Sequence, residues 1–150
     1  MQPRPLFVYG TLRALPLLAW ALTGDPGEID MVKALVKAAT VSGYNRFRLH
    51  HCDYPAVVAS SSSESQVDGY LLNLETLSQR RKLDDFEGET YVSTAVVVKL
   101  NENGSTVEAD MYTWDGDAQQ LSDKPWSLEW FIQERLKDWI EIFVGMELVG

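Results

Sequence analysis

Two runs of apolar and β-branched residues, Tyr91 to Leu100 and Thr106 to Trp114, flank the turn-forming stretch Asn101-Glu102-Asn103-Gly104. β-Branched side chains suit a pleated surface, and a glycine-ended polar stretch between two such runs is a hairpin signal. The pattern predicts an antiparallel pair, and the rest of the chain must fold around the sheet it begins.

Leu6-Phe7-Val8-Tyr9 is a second strand signal, stopped at once by Gly10, as expected of a central buried strand entering a tight turn. Pro16 to Leu22 is helical in character, and Thr23-Gly24-Asp25-Pro26-Gly27 breaks it. The spacing of Ile29, Val32, Leu35 and Val36 predicts a helix from Glu28 to about Lys37. Thr40 to Leu49, Ala56 to Ala59 and Val67 to Leu74 read as strands, divided by Asp53-Tyr54-Pro55 and by the serines at 60–63. Thr76 to Phe86 reads as a helix with Leu77, Leu83 and Phe86 on one side and Gly88 ending it. Leu128, Phe131, Ile132, Leu136, Trp139, Ile140 and Phe143 recur at spacings of three and four, which predicts one amphipathic helix over about 127–143. The elements sum to an α+β fold with a mainly antiparallel or mixed sheet, and a chain of 150 residues is expected to form a single domain, 1–150.

A formal net charge of -9 disfavours phosphate backbones and anionic lipid, so neither nucleic acid nor a membrane is expected as a partner. Arg80-Arg81-Lys82, the one tight basic run, reads as a solvated helix face. A single cysteine, Cys52, permits no intrachain disulfide, and no stretch has the make-up of a membrane span or secretory signal. The cytoplasm is the expected location. The oligomeric state is not legible.

Three stretches bear on chemistry. Phe7 to Arg13, FVYGTLR, is a strand running into a glycine turn whose backbone N–H groups suit a carboxylate or oxyanion, glycine allowing close approach. Read alone, it is equally a plain strand-ending turn. In Leu83 to Tyr91, LDDFEGETY, Glu87 falls four residues after Leu83 at a helix C-terminus. A carboxylate on the apolar side of that end is pushed towards its neutral form, which suits a base working near neutral pH. Its other reading is a solvated helix-end carboxylate. Asp84, Asp85 and Glu89 are expected to be exposed. His50-His51-Cys52-Asp53 has the look of a metal site, but adjacent strand residues point to opposite faces, so no metal is expected. No nucleophile elbow, phosphate loop or dinucleotide fingerprint is present.

These stretches, together with SGYNRFRLHHCDYPAVV, VDGYLLNL and ADMYTW, occur in the order seen in the gamma-glutamylcyclotransferase-like family. The chain resembles in particular its plant avirulence-induced-protein branch, which also carries a Trp-rich segment like 125–130. The resemblance covers about Leu6 to Trp130. It implies a small mixed, mainly antiparallel β-barrel with surrounding helices. It also implies a cofactor-independent enzyme that acts on a small molecule, releasing 5-oxoproline from a gamma-glutamyl amine or peptide by acid/base catalysis. Glu87 would be its catalytic proton acceptor, with Tyr9, Gly10, Thr11 and Leu12 binding substrate and Tyr112 lining the pocket.

Two departures stand out. Many relatives have arginine two residues after the position of Tyr91, where this chain has Ser93. If that arginine orders the site or neutralises a substrate acid, its loss favours a bulkier or less acidic substrate. The segment Ala14 to Ala39 is longer and more helical than in compact relatives, which suggests a lid or a partner surface. Two rival readings stay open: acid/base isomerisation or cyclisation of another small metabolite, and a non-catalytic ligand-binding or stress-response protein.

Overall fold

The computed structural model describes residues 4–50, 52–62, 64–87, 91–114, 118–122, 124 and 126–144, with backbone alone at 85–87, 118, 143 and 144. Strands β1 (Leu6–Val8), β2 (Val36–Ser42), β5 (Gln66–Leu72), β6 (Tyr91–Leu100) and β7 (Thr106–Trp114) close a barrel in the order β1-β5-β2-β6-β7. Strands β3 (Tyr44–Arg48) and β4 (Pro55–Ala59) form a separate antiparallel pair. All pairings inside the barrel are antiparallel except β1 with β7, where Leu6 faces Asp110 and Phe7 faces Met111.

The β6–β7 hairpin forms over the residues expected from the sequence, in register from Tyr91 opposite Trp114 to Lys99 opposite Thr106. Gly104 takes φ 73°, a left-handed conformation that a side chain would resist, and donates to the Leu100 carbonyl. Alternation along β1 sorts its side chains. Phe7 joins Leu71, Val98 and Met111 inside the barrel, while Leu6 and Val8 face outward into the layer under the helices.

Helix α1 (Leu15–Thr23) has Pro16 in its first turn, where a missing N–H costs nothing, and ends on Gly24 at φ 81°. Leu17, Leu18 and Ala19 are fully buried, so the start of the 14–39 segment is part of the core rather than a lid. Burial of each leucine is worth about 1.5–3 kcal/mol.

The predicted 28–37 helix is much shorter. Helix α2 spans only Ile29–Lys33, and Val36 already belongs to β2, pairing with Leu72. Val32 supplies the buried contact, and the apolar residues beyond it serve the barrel. The predicted Thr40 to Leu49 strand is likewise two strands, broken by Gly43 at φ 87°.

Helix α3 (Leu77–Glu87) follows β5. Leu83 is fully buried, but Leu77 is half exposed and does not share its role. Gly88, its expected stop, lies outside the described residues.

The expected C-terminal helix is two: α4 (Leu128–Glu134), capped by the Ser127 hydroxyl, and α5 (Leu136–Val144). They are separated by Arg135 at φ -127°. No helix among the described residues is long and apolar enough to cross a membrane.

Candidate active site

Tyr9 carries β1 out of the barrel, and Gly10 opens a 3-10 turn over Thr11–Arg13. The amides of Arg13 and Ala14 donate to the carbonyls of Gly10 and Thr11, each at 3.0 Å. Those of Thr11 and Leu12 open the turn and have no acceptor within it. A Cβ on Gly10 would lie 2.8 Å from both Cγ and Cδ of Pro55. The close approach that requires glycine is therefore with the first residue of β4, where a ligand had been expected.

Residues 7–12, Tyr54, Pro55, Tyr91 and Tyr112 line a narrow cleft with a water-accessible volume of about 20 Å³. The structure thus brings Tyr9, Gly10, Thr11, Leu12 and Tyr112 together. Their phenols are tied down: Tyr9 donates to the carbonyl of Tyr112, Tyr91 to that of Pro55 at 2.7 Å, and Tyr112 to the Asp84 carboxylate. Tyr54 and Tyr91, which the sequence reading did not assign, pack edge to face at 6.5 Å, and Tyr91 packs likewise on Trp114 at 5.4 Å. Their distance along the chain from the first turn hid them.

Asp84 brings α3 to this wall. The Arg80-Arg81-Lys82 run is not simply a solvated face, because only 13% of the Arg80 side chain is exposed. Its Nε donates to Asp84 at 2.9 Å, Nη1 to Asp110 at 2.7 Å and Nη2 to the Ser93 hydroxyl at 2.9 Å. Burial opposes the Arg80 charge, but the bonds to Asp110 and Asp84 outweigh it and hold the pKa above its ordinary value. Where the resemblance leads one to expect arginine at 93, a guanidinium reaches Ser93 from the helix. The spacing of Arg80 and Asp84, four apart on a helix, was the available signal.

Two further clusters fix the turn and the mouth. Arg46 Nη1 donates to the Tyr9 carbonyl at 2.8 Å and the Asp68 carbonyl at 2.9 Å, and Nη2 to the Asp68 carboxylate at 2.7 Å. Arg13 reaches that carboxylate at 3.4 Å, and burial lowers its pKa. Partial burial pushes the Asp68 pKa up, but the bond and charge of Arg46 and the charge of Arg13 prevail and leave it below the ordinary value. On the other side, the Asp53 carboxylate accepts from Arg135 Nε and Trp139 Nε1, both at 2.8 Å, and its carbonyl accepts from Trp126 Nε1 at 2.7 Å. These bonds tie Asp53-Tyr54-Pro55 at the mouth to Arg135, the residue between α4 and α5.

Glu87 is the last residue of α3, three positions beyond Asp84, and its side chain lies outside the described atoms. The side chain of Asp85 and all of Glu89 also lie outside them. Asp84 is about half exposed yet bonded as above. His50 is exposed, His51 is outside the described residues, and Cys52 is half-buried. Among the described residues no group of three or more His, Cys, Asp or Glu could hold a metal ion.

A small closed barrel thus carries a tyrosine-lined cleft where its first strand ends. The family described as "Gamma-glutamyl cyclotransferase, AIG2-like" matches residues 6–131, and the chain belongs to it. It is 27% identical over 146 residues to AIG2-like protein A of Arabidopsis thaliana, covering 95% of this chain and 81% of that one. A solution structure of an Arabidopsis thaliana protein superposes with a TM-score of 0.61 at 25% identity, covering 93% of this chain and 87% of that one. The crystal structure of a mouse AIG2-like protein shares the fold, with a TM-score of 0.54 at 19% identity over 83% of this chain and 86% of that one.

Proposed function

We propose that this chain is a gamma-glutamylcyclotransferase acting on a gamma-glutamyl amine or peptide, with Glu87 as its acid/base residue. The observation that carries this reading is the convergence on one cleft of the Tyr9–Leu12 turn, Tyr112 and, through the Tyr112–Asp84 bond, the helix that ends on Glu87.

In the proposed reaction the substrate's α-amine attacks its own γ-carbonyl, forming the ring C–N bond, and the bond to the leaving amine then breaks. Glu87 takes the proton from the attacking nitrogen and returns it to the departing one. The amides that open the Thr11 turn suit the glutamyl carboxylate or the tetrahedral oxyanion. The products are 5-oxoproline and a free amine, and the reaction balances without a cofactor or metal. Cytoplasmic residence fits this chemistry. The isomerase or cyclase reading drew on the loss of a cation at position 93, and Arg80 against Ser93 weakens that ground.

The test is a panel of gamma-glutamyl amino acids, gamma-glutamyl amines and glutathione, assayed for 5-oxoproline with the native chain and with Glu87→Gln. The native chain should turn over at least one member. The variant should lose about 10²–10⁴-fold in rate at unchanged stability, the usual scale of acid/base assistance. Silence of the native chain across the panel, or near-native turnover by Glu87→Gln, sinks the reading.

A further inference from the structure

We propose that Arg80 is a positioning residue for the cleft, acting through Asp84 and Tyr112 and not on the ligand. This rests on the cleft being the active site, as argued above.

Arg80 does not line the cleft, and its Nε, Nη1 and Nη2 each have an acceptor on a different residue: Asp84, Asp110 and Ser93. The guanidinium carbon also lies 5.6 Å from the centre of the Tyr112 ring. The Asp84 oxygen that takes Arg80 Nε also takes the Tyr112 hydroxyl. At its other end, the Tyr112 carbonyl takes the Tyr9 hydroxyl. A single chain of bonds therefore runs from the guanidinium through Asp84 and Tyr112 to the residue before Gly10.

Asp84 is 48% exposed, and a carboxylate so placed would rotate freely into water unless a fixed donor held it. Arg80 is such a donor beside the Tyr112 hydroxyl, and its planar fork is itself fixed by Asp110 on β7 and Ser93 on β6. Asp110 keeps a second partner, Arg4, at 3.1 Å, so loss of Arg80 does not leave its charge unpaired. The effect of losing Arg80 should therefore fall on Asp84 and Tyr112.

The experiment compares Arg80→Met, Arg80→Met/Ser93→Arg and Arg4→Met with the native chain. It reads kcat/KM for 5-oxoproline release and the ring resonance of Tyr112 in protein made with ¹³C-tyrosine, assigned with Tyr112→Phe. Arg80→Met should move the Tyr112 signal and lower kcat/KM at least tenfold. Returning a guanidinium from position 93 should restore both, and Arg4→Met should leave both unchanged. Should Arg80→Met not fold, Arg80→Lys, a point charge unable to span the three acceptors, reads the same two quantities. An unmoved Tyr112 signal, native turnover without the guanidinium, or failure of the position-93 arginine to restore either quantity overturns the proposal. If the native chain releases no 5-oxoproline, the cyclotransferase reading falls, and the Tyr112 signal and its return decide the role of Arg80 alone.

Discussion

Gly10→Ala puts a single methyl group into the narrowest backbone approach at the site. Its Cβ would sit 2.8 Å from two atoms of the Pro55 ring, where ordinary contact begins at 3.4 Å. A proline ring cannot swing aside, so about 0.6 Å of relief must come from moving β4 or the turn, and overpacking of this kind costs about 1–3 kcal/mol. Moving Pro55 also strains the 2.7 Å bond that its carbonyl accepts from Tyr91, worth about 0.5–1.5 kcal/mol. A loss of about 3 kcal/mol corresponds to a fall in Tm of about 6–12 °C for a chain of this size. Thermal melts of Gly10→Ala, Pro55→Ala and the double variant give the answer. The double variant should regain at least about 1 kcal/mol relative to additivity, since removing the ring atoms makes room for the methyl. A Gly10→Ala melt within a degree of native, or strict additivity, would refute the steric argument.

Two further outcomes follow from the ion clusters. The Asp68 pKa is depressed on folding, so its contribution to stability is present above the unfolded carboxylate value of about 4 and is lost as pH falls through the lower folded value. Urea unfolding of Asp68→Asn between pH 2 and 7 should therefore show a shallower acid loss than the native chain, and parallel curves would contradict this. Asp53→Ala removes an acceptor shared by Arg135 and Trp139, and Arg135 owes its raised pKa first to its bond with Asp53. Tryptophan emission should shift to longer wavelength as the α4–α5 junction loosens, and an unchanged spectrum would show that packing alone holds it.

What could be read from the sequence follows the range of the forces involved. The β6–β7 hairpin was legible because its strands and turn are adjacent and each agrees with the other. The end of α2 was not, because Leu35 and Val36 fit helical spacing and strand composition alike, and only pairing with Leu72 decides between them. The break at Arg135 leaves no mark in the apolar spacing over 127–143, and the partner that Arg135 meets there, Asp53, is far away in the chain. The turn after β1 was marked out by its glycine, whereas its assignment to substrate, like that of Tyr112, came from family resemblance. The bonds of Arg80 were not legible because Ser93 and Asp110 meet it only after the barrel forms.

The parallel seam between β1 and β7 also bears on how the chain is made. β1, the first of the described strands, has one of its two partners in β7, the last of them along the chain. Until Thr106 to Trp114 has emerged, β1 presents an unpaired edge and an uncovered apolar face, and such long-range closure is slow. The candidate site begins where β1 ends, so ligand binding cannot precede closure of the seam. A newly made chain stalled before β7 should be unable to form the candidate site and prone to aggregate.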